Sequence, residues 1–359
     1  MKGDKRIWWM ALAVGLLGLR AVLPVSWVEM AFSRGWFVVL RAGWDALFGW
    51  VPFPLLFLLV PLLLGWIGFA FFLFREKNNQ PWSWGMFREI LLGMGGFLGM
   101  GLSLFLLLWG FHYGRVPLED QLQLRSLPLD SAALVDEALW HTQRVDSLRR
   151  SLGAMDTLVP SPALEGDELE AHVREALGHT FRQLGFPVPG RARCRVLPQG
   201  TLLRLGIAGI YMPFSGEGHV DGGLHPLEIP YTMAHEMSHA LGIAGEDDCN
   251  LLAALACARS DDPVIRYGGA LAHWRLVMGE LFVVAPEAFW DIREKLSPEI
   301  RRDWRTLREY ARRYPDWFPE WSAQVNHVYL RAQGVKQGIK SYDKAVGLYR
   351  AYRLKNHGD

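Results

Sequence analysis

The sequence predicts a mainly α membrane protein: three N-terminal transmembrane helices, then a soluble, predominantly helical α+β domain with a small β element. Three observations predict it. Half of the 359 residues are hydrophobic, and the apolar ones crowd into the first third of the chain. Two of the resulting runs, residues 50–74 and 90–111, carry no charge. Each is long enough to cross a hydrocarbon core of about 30 Å. From residue 115 onward charges return at helical spacing, as in a domain that faces water.

A first apolar run, about 7–23, is interrupted by Arg20 and follows Lys2, Lys5 and Arg6. No small-x-small cleavage site comes after it, so it is expected to stay in place as a span, with Arg20 snorkelling or facing a neighbour. Lys2, Lys5 and Arg6, with Arg75, Lys77 and Arg88 in the second loop, outnumber Arg34 and Arg41 in the first loop. That bias puts the N-terminus in the cytoplasm and the region after residue 114 outside it. The expected division is a membrane domain, 1–114, and an extracytoplasmic domain, 115–359. Gly95 and Gly99 make a GxxxG in the third span, a candidate packing face.

Other partner classes are narrowed by composition. A formal charge of +1 gives no broad electrostatic case for nucleic acid. Cys194, Cys249 and Cys257 are too few and too irregularly spaced for a disulfide framework or a cysteine zinc cage. The expected partners are therefore the lipid bilayer and a peptide or protein substrate; nothing in the sequence sets the oligomeric state.

In the soluble part, 129–152 and 162–184 read as amphipathic helices, and 191–197 and 201–212 as short strands. Residues 213–226, PFSGEGHVDGGLHP, read as a turn-rich connection. A helix follows with the stretch that carries chemistry, YTMAHEMSHALGIAGEDDCN, and after Pro263 the chain is helical again.

Within that stretch His235, Glu236 and His239 form HExxH. Residues i and i+4 share a helix face, so both imidazoles can reach one tetrahedral zinc, one ion per chain. Zinc lowers the pKa of a bound water from 15.7 toward about 7, and Glu236 is placed to take its proton as a general base. Pro230 suits the helix's first turn and Gly242 its end, so the chain turns back and delivers Glu246, Asp247 and Asp248. Glu246 is the favoured third ligand and Asp248 the alternative. Asn250, one turn after Glu246, can orient a ligand. Asp247 complements the helix dipole.

An oxyanion donor is sought among Tyr267, Tyr329 and Tyr342, with His273 and His327 as further candidates. Residues 206–212 offer an edge strand to which an extended peptide could add.

The run from Glu246 to Asn250 resembles the ExxA(D/N) element of gluzincin-type membrane peptidases such as the CAAX prenyl proteases. More fully, the chain resembles the domain of unknown function 3810 family of bacterial membrane proteins. The resemblance lies in the N-terminal spans, GIYMPFSGEGHV, EIPYTMAHEMSHALGIAGEDDCN and VNHVYLRAQGVKQGIKSYDKAVGL. It implies a zincin-like domain and a zinc metallopeptidase of the bacterial inner membrane. The family's acidic run reads EDEAN; here Asp248 and Cys249 replace its second Glu and its Ala, and Glu246 is kept.

The expected function is thus membrane-anchored, zinc-dependent peptide hydrolysis. An envelope amide or ester hydrolase with the same metal site, or a non-catalytic zinc-binding scaffold, are the alternatives. An intramembrane protease is excluded because the apolar window around His235 is short and ends in three acids.

Overall fold

The structure, a computed structural model, describes residues 4–77, 84–125, 129–153, 162, 164–320, 324 and 342–357. Two compact units make up the chain: Met1–Val116 with Met212–Glu217, and Pro117–Tyr211 with Gly218–Asp359.

In the first unit, α1 (Lys5–Val22) is capped by Asp4, whose carboxylate accepts the Arg6 N–H at 3.0 Å. Pro24 cannot continue the helix's hydrogen bonds. The chain bends there by 113° into a second helix, α2 (Val25–Phe48), which contains a π-helical stretch, Val28–Trp36. That stretch turns Glu29 inward to Arg115 (2.8 Å) and Ser33 inward to His112 (3.0 Å). Next come α3 (Leu56–Lys77) and α4 (Trp84–Leu108).

Gly96 and Gly99 of α4 press on α1 so closely that added Cβ atoms would lie 2.9 Å from the Cα atoms of Arg6 and Met10; Gly95 meets the Met10 sulfur. The GxxxG is a packing face. Arg20 faces a neighbour, the Tyr113 ring, at 5.7 Å. Arg41 and Trp44 donate to the carbonyls of Gly216 and Ser215, and the Leu55 N–H donates to Glu217.

The expectation of three spans is met in part: α1, α3 and α4 are apolar helices, and one or two of the described segments are of spanning length. Among the described residues one helix, Trp84–Leu108, is long and apolar enough to cross a membrane; the bent pair Lys5–Val22 and Val25–Phe48 passes only when taken together. Hydropathy across 50–74 is continuous, but Pro52 and Pro54 keep the start of that run out of the helix.

The second unit contains α5 (Ser131–Ser151), α6 (Gly166–Gln183), strands β1 (Arg193–Leu197), β2 (Gly209–Met212) and β3 (Glu217–Asp221), and helices α7 (Ile229–Ala240), α8 (Glu246–Ala258), α9 (Pro263–Val284), α10 (Pro286–Glu294), α11 (Pro298–Ala311) and α12 (Tyr342–His357). The strands form one sheet in the order β1-β3-β2. β3 lies inside the segment read as a turn-rich connection, which is a second correction. Conversely, 201–205 forms a turn and a short 3-10 segment, not strand.

One hydrophobic cluster joins α6, α7 and α8, including Leu177, Phe181, Met237 and Leu252. A second joins α5, α9 and α11, including Leu134, Trp274 and Leu307. α8 is central because its inner face is small: Ala253, Ala254, Ala256 and Cys257 let other helices approach on several sides. At Gly269 a Cβ would come within 2.2 Å of the Cys257 Cβ, so α8 and α9 touch backbone to backbone.

Candidate metal centre

α7 opens with Pro230 in its first turn and ends at Gly242, whose φ of +89° is the left-handed conformation a helix end requires. The Gly242 N–H donates to the His239 carbonyl (2.9 Å) and the Ile243 N–H to that of Ser238 (3.1 Å). α8 begins within four residues, so its first turn stands beside the last turns of α7.

That turn brings the predicted ligands together. The Glu246 Oε2 lies 3.1 Å from the His235 Nε2 and 3.6 Å from the His239 Nε2. The opposite ring nitrogens are held from behind. The His235 Nδ1 meets the Asn250 side-chain oxygen at 2.9 Å, and the His239 Nδ1 meets the Ile243 carbonyl at 2.8 Å. Both acceptors fix Nδ1 as the protonated nitrogen and turn the Nε2 atoms toward Glu246. With Nδ1 so committed, each Nε2 meets the carboxylate either as a protonated donor or as a lone pair with a cation between them.

Tetrahedral zinc with Zn–N and Zn–O bonds near 2.0–2.2 Å would set nitrogen and oxygen about 3.4 Å apart, between the two observed distances. The two nitrogen–oxygen distances fit such an ion.

His235, His239 and Cys249 are also near enough to hold a metal, each with one donor atom within 4.8 Å of the others. The Cys249 sulfur, however, lies 3.4 Å from the His239 Nδ1, on the ring edge that Ile243 already occupies. Burial pushes its thiol up to about 12. Glu246 is the acid that stands against both Nε2 atoms. Partial burial would raise its carboxyl, but the His239 charge and hydrogen bonds to both imidazoles hold it well below the usual carboxylate range.

The other predicted residues divide. Asp248 folds back over Gly245, its Oδ2 2.7 Å from where a Gly245 Cβ would sit. Asn250 orients His235. Tyr267 is fully buried in the second cluster, where its hydroxyl donates to Asp303 at 2.8 Å. His273 is likewise buried, its ring 4.8 Å from His141 and 4.3 Å from Tyr349. Tyr329 and His327 lie outside the described residues, as does the side chain of Tyr342.

Sequence reasoning missed three contributors. Tyr231, one turn before His235, donates its hydroxyl to the Asn250 backbone oxygen (3.2 Å) and side-chain oxygen (3.3 Å); its i, i+4 spacing was the available signal. Gly209 and Gly218, on β2 and β3, lie against Glu236. A Cβ at 209 would sit 2.6 Å from the Glu236 Oε1, and one at 218 would sit 2.7 Å from the Glu236 Cβ. The sheet can approach the helix only because both side chains are missing.

Gly218→Ala is therefore expected to cost about 1–3 kcal/mol, since the obstacle is a Cβ that cannot rotate away. Thermal unfolding of the detergent-solubilised chain measures it, and an unchanged midpoint would mean that strand and helix separate freely. β2 is an edge of the sheet, with β3 in the middle. Burial pushes the Glu236 carboxyl up.

No curated protein and no solved structure matches the chain. The family described as protein of unknown function (DUF3810) matches residues 32–349, a span that contains HExxH, both glycines and every helix from α3 to α11. The chain therefore belongs to the DUF3810 family.

Proposed function

We propose that this protein is a membrane-anchored zinc metallopeptidase in which His235, His239 and Glu246 hold the metal and Glu236 is the general base. The supporting observation is the convergence of two Nε2 atoms on one carboxylate while each Nδ1 is tied to a fixed oxygen. Zinc held there would supply Lewis acidity and lower the pKa of water.

The chain's own residues do the rest. Glu236 takes the proton from the attacking water and returns it to the leaving amine, and its raised pKa brings it nearer the working pH. Asn250 and Tyr231 keep His235 in one tautomer. The β2 edge lies beside Glu236 and takes the substrate as an added strand. Cys249 stands on the far side of His239, which favours three protein ligands over the four of a structural site.

Anchoring follows from α3 and α4, where Leu62, Leu64, Phe69, Phe71, Phe72 and Leu98 point outward. With α1, α3 and α4 all taken as spans, the charge bias supports an N-terminus in the cytoplasm of a bacterial cell and a metal centre beyond the inner membrane.

Metal analysis of purified wild type beside His239→Ala tests the assignment. About one zinc per chain is expected in wild type and little in the variant. Equal metal content in both would overturn it.

A further inference from the structure

Helix α9 ends in an anomaly. A helix of a soluble domain exposes apolar side chains on one stripe at most, yet Phe282, Val283 and Val284 occupy three successive positions, about 100° apart around the axis. All three are exposed, at 49%, 76% and 48%. The chain then turns at Ala285–Pro286 into α10, which adds Trp290 at 46% exposure. Phe282 and Trp290 are neighbours, with ring centroids 6.4 Å apart, and Phe289 packs beneath both. The result is a continuous apolar tip, carried on a rigid helix pair.

The rim of this tip is cationic. The Arg293 guanidinium lies over the Trp290 ring at 4.7 Å, and Arg308 lies over Trp304, which itself contacts Phe289. Arg301 and Arg305 are also exposed on α11, with Glu309 exposed and Glu299 half-buried on the same helix. Glu287, Asp291 and Glu294 are exposed on α10, so that helix keeps one water-facing side and limits how deep the tip can go. An apolar end, a tryptophan at its base and arginines around it are the parts of an interfacial membrane contact. The hydrocarbon takes the apolar end, the headgroup layer takes the indole, and lipid phosphates take the guanidinium groups.

We infer that the α9–α10 tip, Phe282 to Val284 with Trp290, inserts into the surface of a bilayer whose anionic headgroups bind the arginines of α10 and α11. The bilayer is the occupant at hand because the same chain carries Trp84–Leu108, a helix of spanning length. The inference rests on the membrane-anchored reading of that helix.

The test uses the full chain in phosphatidylcholine vesicles with and without phosphatidylglycerol. The three native cysteines are buried, so Val283→Cys can be labelled selectively with an environment-sensitive fluorophore. Leu98→Cys, on the outer face of α4, serves as the control for anchoring. Both labels are expected to be quenched by brominated lipid chains and shielded from aqueous iodide. Quenching at 283 should be severalfold stronger with phosphatidylglycerol, and Arg293→Gln with Arg308→Gln should remove that gain.

Lipid quenching at 98 but iodide quenching at 283 overturns the tip while leaving the anchor. Shielding of 283 from both quenchers, the pattern of a protein partner or a second copy, also overturns it. Absence of lipid quenching at 98 overturns the anchored reading itself.

Discussion

Glu236→Gln is expected to lower peptide hydrolysis by about 10²–10⁴-fold while zinc stays bound, the range that loss of a general base produces. Glutamine keeps the shape that Gly209 and Gly218 accommodate, so the sheet and α7 need not move. What it cannot do is accept a proton. The same substitution carries a second, opposite signature. Burial raises the folded-state pKa of Glu236, so the fold prefers its protonated form; that stability is complete below the unfolded pKa, near 4.3, and is lost as pH rises through the folded value. At neutral pH the metal-free wild type therefore bears a penalty that the variant lacks. Metal-free Glu236→Gln should unfold at a higher temperature than metal-free wild type at neutral pH, and the gap should close in acid. Turnover of a quenched-fluorescent peptide library, zinc content and unfolding of the chelated protein measure the three quantities. An active variant would remove Glu236 from the chemistry; an inactive one without zinc would make its role structural.

Much of the centre was legible because it is local. HExxH is one helical turn, Gly242 is a helix end, and Glu246 and Asn250 lie one turn apart on the next helix. The boundaries of α5 and α6 were legible for the same reason, since amphipathic spacing reports burial directly. β3 was not, because its residues are polar. Glu217, His219 and Asp221 occupy the central strand, and the Asp221 carboxylate accepts the backbone N–H groups of Gly200, Leu202, Leu203 and Gly223. Those partners are remote or on the far side of a turn, so nothing in the strand's own pattern announces its burial. The glycines against Glu236 are hidden for a related reason: a missing side chain acquires meaning only from what approaches it. At the N-terminus hydropathy runs smoothly across Pro52 and Pro54, whereas the helix begins only after them, at Leu56.

Tyr267, a sequence candidate for the oxyanion, leads to the largest expected loss of stability. Its hydroxyl and the Arg149 Nε both donate to the Asp303 Oδ2, each at 2.8 Å, so one carboxylate ties α5, α9 and α11 together inside an apolar cluster. Burial, then the Asp303 charge, keeps the phenol protonated. Asp303→Ala takes a carboxylate from the Arg149 guanidinium, whose side chain is almost wholly buried, and should cost about 3–5 kcal/mol. At about 2–4 °C per kcal/mol that lowers the unfolding temperature by roughly 10 °C. Tyr267→Phe removes only a neutral donor and should cost about 1 kcal/mol. The two substitutions share an acceptor, so their effects should fall short of adding, which a double-mutant cycle would measure. Tyr267→Phe also separates the readings of this residue. An oxyanion donor would take about 10²–10³ from turnover with it, whereas a core tyrosine bound to Asp303 should leave turnover near wild type at temperatures where the fold is intact. A hundredfold slower Tyr267→Phe with an unchanged unfolding temperature would return the residue to the active site.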